Sequence, residues 1–180
     1  LLSITIGSFL VFLTSVLKGT NQANITAEVK QHGQVVLDTL ESQIRNATDA
    51  VCLNPANGSL CASPTQSTTY IKLLRVNSDP LHIRCVPFSG TTQNGRIEIA
   101  VSAVVLGTIP SNFTSITSQD TVSGVSIDPC TFTIVPSSGG VSAPPIVAVN
   151  FTISQGVAAA SRSDFLASVD FQTTISLRGY

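Results

Sequence analysis

The first 17 residues (LLSITIGSFLVFLTSVL) carry no charge, and a second, amphipathic helical pattern follows them directly, with no loop between. A run of this length lies at the short edge of what crosses a hydrocarbon core, for which about 20 residues at about 1.5 Å each are needed. It has neither the basic leading region nor the small-residue cleavage site of a secretory signal. A helix that is apolar all round must be covered on every side, and nothing later in the chain is apolar enough to wrap it. The expectation is a helix whose first half finds lipid or other subunits through Leu1, Leu2, Ile4, Ile6, Phe9, Leu10, Phe12, Leu13, Val16 and Leu17.

Beyond it, Ile25, Val29, Val36, Leu40, Ile44, Ala47 and Val51 recur in steps of three and four, with Gly33 in the one gap. That spacing draws one face of a helix. Glu41, Arg45 and Asp49 follow at i, i+4 on another side and can pair weakly there. Asn54-Pro55 and Asn57-Gly58 signal turns, so the helix is expected to stop near Cys52. Between the two halves, Lys18-Gly19-Thr20-Asn21-Gln22-Ala23-Asn24 combines weak helix formers, which predicts an interruption. Residues 1–52 as one helix would span about 78 Å. A domain of about 130 residues has a radius of gyration near 14 Å and cannot hide that length.

The chain divides into this helix, 1–52, and a head, 53–180. With 11% charged residues and a net charge of −1, little drives nonspecific binding to nucleic acid or acidic lipid. Cys52, Cys61, Cys85 and Cys130 form an even set without the close pairs of a zinc site, which favours an oxidising compartment. Three pairings are open. Cys52 with Cys61, closing a short loop, and Cys85 with Cys130, joining two strand candidates, are preferred. After Cys61, short β-type runs at 69–76, 81–87, 96–106, 122–127, 131–135, 146–154 and 165–177 alternate with turn residues, which argues for antiparallel sheet. The 137–140 stretch reads as a loop.

A hydrophobic helix continuing into an amphipathic segment that ends in Leu40-Glu41-Ser42-Gln43-Ile44-Arg45-Asn46-Ala47, then a cysteine-bearing β domain, resembles the bacterial type IV pilins and the pseudopilins of type II secretion. The resemblance is strong over 1–52 and architectural beyond. It implies an α+β, pilin-like fold: a long N-terminal helix, apolar in its first half and amphipathic in its second, packed on an antiparallel sheet. It implies a structural subunit of an extracellular, cell-surface filament, inserted in the inner membrane before assembly, with copies of itself and other pilins as partners. Family members carry a glutamate in the first turns of the mature helix, whereas no acidic residue precedes Glu28 here. On the family pattern, the chain would begin roughly half a dozen residues inside the mature start. A minor pilin or a secretion pseudopilin is the alternative within the family. From another class, the alternative is a membrane-tethered adhesin or a DNA- or sugar-binding surface domain.

Catalytic and cofactor readings find little to stand on. His32 and His82 lie far apart without acidic ligand spacing, and no nucleophile elbow, zinc-protease helix or phosphate loop occurs; no enzyme activity, metal or cofactor is expected. Lys72, Arg75, Arg84 and Arg96 cluster in the central strand candidates. They could meet the phosphates of DNA, although basic residues on strands more often protect a solvated edge. Asn24, Asn46, Asn57, Asn112 and Asn150 each open an Asn-x-Ser/Thr sequon. Sugar needs an exposed Asn, and Asn57 and Asn112, both in turn regions, are the candidates.

Overall fold

A computed structural model describes residues 2–136, 144–159 and 166–178, with side chains from Phe9 onward. Expectations placed on Leu1, on the side chains of Leu2, Ile4 and Ile6, on the 137–140 loop and on the start of the last strand at Phe165 fall outside the described residues. Among the described residues, one helix, α1 (Leu2–Arg45), precedes nine strands: β1 (Asp49–Leu53), β2 (Ser67–Thr68), β3 (Tyr70–Arg75), β4 (Ser78–Val86), β5 (Arg96–Val101), β6 (Thr114–Ser115), β7 (Val125–Val135), β8 (Ile146–Gln155) and β9 (Ser168–Ser176). They form a five-stranded sheet, β1-β3-β4-β5-β6, and a four-stranded sheet, β2-β7-β8-β9, with every pairing antiparallel.

The helix departs from expectation in three ways. It is not apolar: among the described residues no helix is long and apolar enough to cross a membrane. The physical reason is length, because the uncharged run of α1 covers only 2–17, about 24 Å, before Lys18, Asn21, Gln22 and Asn24 follow. The α+β layout stands, but the apolar first half assigned to it does not.

Second, α1 runs unbroken through 18–24, where an interruption was expected. Thr20 returns its hydroxyl to the Val16 carbonyl at 2.9 Å, and Thr26 does the same to Gln22 at 2.8 Å, so these hydroxyls do not pull the backbone out of the helix. Breaking a long helix also demands a second, costly nucleation, which outweighs a local propensity loss of about 1 kcal/mol at Gly19.

Third, α1 stops at Arg45 rather than near Cys52. Ala47 N–H turns back to the Ile44 carbonyl, and Thr48 N–H donates to Leu74 at 2.8 Å. From Asp49 the chain pairs with β3, Ala50 opposite Leu73 and Cys52 opposite Ile71. Ala47 is still buried, as the stripe predicts, but Val51, the last member of the stripe, is only half-buried. From Asp49 the chain follows a strand's period of two, so Ala50 and Cys52 turn to the core in its place.

The core joins three faces. Val29, Val36, Leu40 and Ile44 of α1 meet Val147, Val149, Phe151, Ile153 and Ile175 of β8 and β9, and Ile71, Leu73, Ile83 and Ile97 complete the cluster from the five-stranded sheet. Gly33 is where helix and sheet come closest, since a Cβ built there would fall onto the Phe171 ring. That ring stacks on Phe151 at 5.1 Å between centroids. The gap in the helical stripe is therefore filled by an aromatic from β9.

The two expected strands at 122–127 and 131–135 are one strand, β7, with a register shift between Ile127 and Cys130 at Pro129, which has no N–H to give the ladder. The strand expected over 96–106 ends at Val101. Cys85 is bonded to Cys130, tying β4 to β7 across the two sheets with 5.9 Å between Cα atoms, and Cys52 to Cys61, with 5.5 Å between theirs. These are the preferred pairings, and they mark an oxidising environment of the extracellular or periplasmic kind. Asn94-Gly95, in the break between β4 and β5, forms a buried clasp. Asn94 donates to the Asp120 carbonyl at 2.8 Å and accepts from Val157 N–H at 2.9 Å, while Gly95 N–H meets Ser126 Oγ at 3.0 Å.

Candidate functional site

Every described side chain over 9–24 of α1 is exposed, and burial begins only at Ile25. The large apolar members are Phe9, Leu10, Val11, Phe12, Leu13, Val16 and Leu17, with Phe9 and Phe12 at 64% and 67% exposure. At about 100° per residue these seven face several sides of the helix rather than one stripe. Residues 2–24 extend about 35 Å beyond the packed half. Fully covering seven side chains of this size would contribute on the order of 10 kcal/mol, to be set against the entropic cost of bringing two molecules together. Of the residues expected to pack helix on helix, Phe9, Leu10, Phe12, Leu13, Val16 and Leu17 are thus together on one arm.

A second constellation occupies the face of the five-stranded sheet turned away from the core. Cross-strand register sets Tyr70 beside Arg84 and Arg84 beside Glu98, and in the next row Lys72 beside His82. Glu98 is buried; one carboxylate oxygen accepts from Arg84 Nε at 2.7 Å and the other from Arg96 Nε at 2.6 Å. Burial opposes ionisation of Glu98, but hydrogen bonds from Arg96 and Arg84 outweigh it and hold the carboxyl below its ordinary value. Tyr70 shares a hydrogen bond with His82 Nδ1 at 2.7 Å. Burial pushes the phenol up to about 12 against the opposing pull of Arg84. The His82 ring is lowered by burial and by Lys72, against the backbone of Ser102. The Arg84 guanidinium lies over the Phe113 ring, with its central carbon 3.8 Å from the ring centroid.

The chemistry of this row is mutual neutralisation. Both oxygens of Glu98 are engaged by guanidinium groups, and the Tyr70 hydroxyl by an imidazole, so the row holds a sheet face together. An open cleft of about 480 Å³ borders it, lined by Tyr70, Arg84, Ile109, Ile127 and Asp128 beside the Cys85–Cys130 bridge, but Arg84 is turned to Glu98. The four basic residues do not form one patch. Arg84 and Arg96 converge on Glu98, Lys72 reaches the Val104 carbonyl at 3.4 Å, and Arg75 donates to the Asp79 carbonyl at 3.2 Å. His32 is exposed on α1 and His82 buried in β4. Among the described residues no group of three or more His, Cys, Asp or Glu is placed to hold a metal ion.

Sequence reasoning missed Glu98, Tyr70, Phe113 and Asn94. Arg96 and Glu98 were within reach of it, because the alternation in Arg96-Ile97-Glu98-Ile99 puts both on one face. The Arg84–Glu98 pairing needed the register. Comparison with family models, curated proteins and solved structures returns no match, so nothing in them identifies the chain as a type IV pilin.

Proposed function

We propose that the chain is a structural subunit of an extracellular, type IV pilus-like filament, polymerising through the exposed arm of α1 with copies of itself. The observation that carries this reading is the arm: seven large apolar side chains exposed on a continuous helix whose other half is fixed to a disulfide-bridged β domain. The monomer leaves that surface in water, which is unfavourable in proportion to its area. A neighbour's arm offers matching apolar surface, and head-to-tail contact by nonidentical surfaces repeats into an open helical polymer. A compact head on each subunit would then coat the packed arms.

Charge on the arm tests this directly. Phe9→Lys or Phe12→Lys places an unpaired ammonium where apolar contact is required, at a cost of several kcal/mol. Sedimentation and electron microscopy of material released from cells should show fibres of the wild-type chain and none of either variant. Normal fibre yield from the charged variants overturns the reading.

A further inference from the structure

The five sequons all read Asn-x-Ser/Thr, Asn57 with Ser59 and the other four with Thr, and they are unequal in structure. An Asn carboxamide nitrogen is a poor nucleophile because its lone pair is shared with the carbonyl. Hydrogen bonds donated to Oδ1 draw electron density toward oxygen, make the Nδ2 protons more acidic and release the lone pair as a proton leaves. The sequon hydroxyl can do this only if it is not spent elsewhere. Thr26 gives its hydroxyl to the Gln22 carbonyl at 2.8 Å, Thr48 to the Leu74 carbonyl at 3.2 Å, and Thr152 to Asp170 at 2.7 Å. These engagements remove the hydroxyls of the Asn24, Asn46 and Asn150 sequons. At Asn112, the nitrogen itself donates to the Val101 carbonyl at 3.2 Å.

Asn57 differs on every count. Its Oδ1 accepts from Ser59 Oγ at 2.8 Å and from Ser59 N–H at 3.0 Å. It is exposed at the tip of a loop, and that loop is held in shape. Cys52 and Cys61 are bonded at its base, Asn54 N–H donates to Ser59 and Gly58 N–H to Asn54, both at 2.8 Å. Gly58 takes a φ of +70°, and a Cβ there would lie 2.9 Å from the Thr108 carbonyl oxygen, so the turn requires glycine.

We propose that Asn57 is the position at which the folded chain accepts an N-linked glycan. In the transfer, Nδ2 bonds to the anomeric carbon of a lipid-linked sugar diphosphate. The anomeric carbon–oxygen bond breaks, the lipid diphosphate leaves with the electron pair, and the Nδ2 proton passes to a base on the transferase. No electrons are exchanged with an oxidant or reductant. The inference does not depend on polymerisation.

The test incubates the oxidised, folded chain with a lipid-linked sugar diphosphate and an oligosaccharyl transferase that reads Asn-x-Ser/Thr, and locates the products by mass spectrometry of glycopeptides. The reduced and alkylated chain serves as the reference substrate. Sugar is expected at Asn57 in the folded chain, ahead of the other four sequons, with that preference absent from the unfolded reference. Asn57→Gln should abolish the product, Ser59→Ala lose it and Ser59→Thr retain it. Three results would overturn the assignment: an unmodified Asn57 in the folded chain, faster modification of another sequon, or full modification of Ser59→Ala. An unfolded reference that favours Asn57 equally would overturn it as well.

Discussion

The two halves of α1 are continuous in backbone and opposite in surroundings. Over 25–45 the apolar residues sit at helical spacing and are buried against β8 and β9, with Leu40 and Ile44 at 0% exposure. Over 9–17 apolar residues are denser, and all are exposed. Hydrophobicity alone therefore does not decide what is covered within this chain. A stripe matches one sheet face, whereas apolar side chains spread over several sides of a helix find no single face to cover them. The comparison assigns the packed half to folding and leaves the exposed half as the surface proposed for contact between molecules.

The largest effect that distinguishes the halves is on stability. Leu40→Ala should cost about 2–5 kcal/mol through lost burial and a residual cavity. Phe12→Ala should stay within about 0.5 kcal/mol of wild type in the unassembled chain, as a surface change does. Urea denaturation of the unassembled chain measures both, and equal losses would break the comparison.

Glycine separates the halves on a smaller scale. Gly33→Ala drives a methyl into the Phe171 ring, an overpacking that costs about 1–3 kcal/mol. Gly19 has nothing within 4 Å of an added Cβ, so Gly19→Ala should instead gain up to about 1 kcal/mol of helix propensity. Opposite shifts in thermal midpoint are expected. A loss at Gly19 would mean the arm is already packed in the monomer.

The smallest effect expected is an acid-side slope confined to the β domain. The folded His82 ring lies below its ordinary 6.5, so below that pH the unfolded chain takes up a proton that the folded chain resists. Stability from this group is complete above 6.5 and falls as pH drops through the folded value. Glu98, held below its ordinary 4.5, adds a further loss as pH falls beneath that figure. Denaturation midpoints from about pH 7 to about pH 5 should decline for the wild type and less steeply for His82→Gln. An unchanged slope in the variant would remove His82 from the account.

Much of this architecture was readable one residue at a time. The stripe from Ile25 to Ala47, the alternation in β5 and β8, and the turn residues around them are local patterns, and each follows from the period of its element. The cysteine pairs were readable as preferences because one closes a short loop and the other joins two strand candidates. Where competing local signals met, the reading failed. Weak helix formers at 18–24 argued for a break that cooperativity overrode, and the stripe carried the helix past Arg45 into a segment that pairs with β3. The candidate arm was visible as residues 1–17, but its apolar character was overstated, because the polar residues from Lys18 follow too soon.

By itself, the sequence determined that a helix and an antiparallel head share this chain, and which residues of 25–47 face inward, since both follow from periodicity. Only the tertiary structure decided that Phe171 fills the space over Gly33, that Arg84 and Arg96 share Glu98, and that Asn57 alone among the sequons holds its own hydroxyl partner. Each of those depends on register and on contacts between residues distant in the chain, which no local pattern encodes.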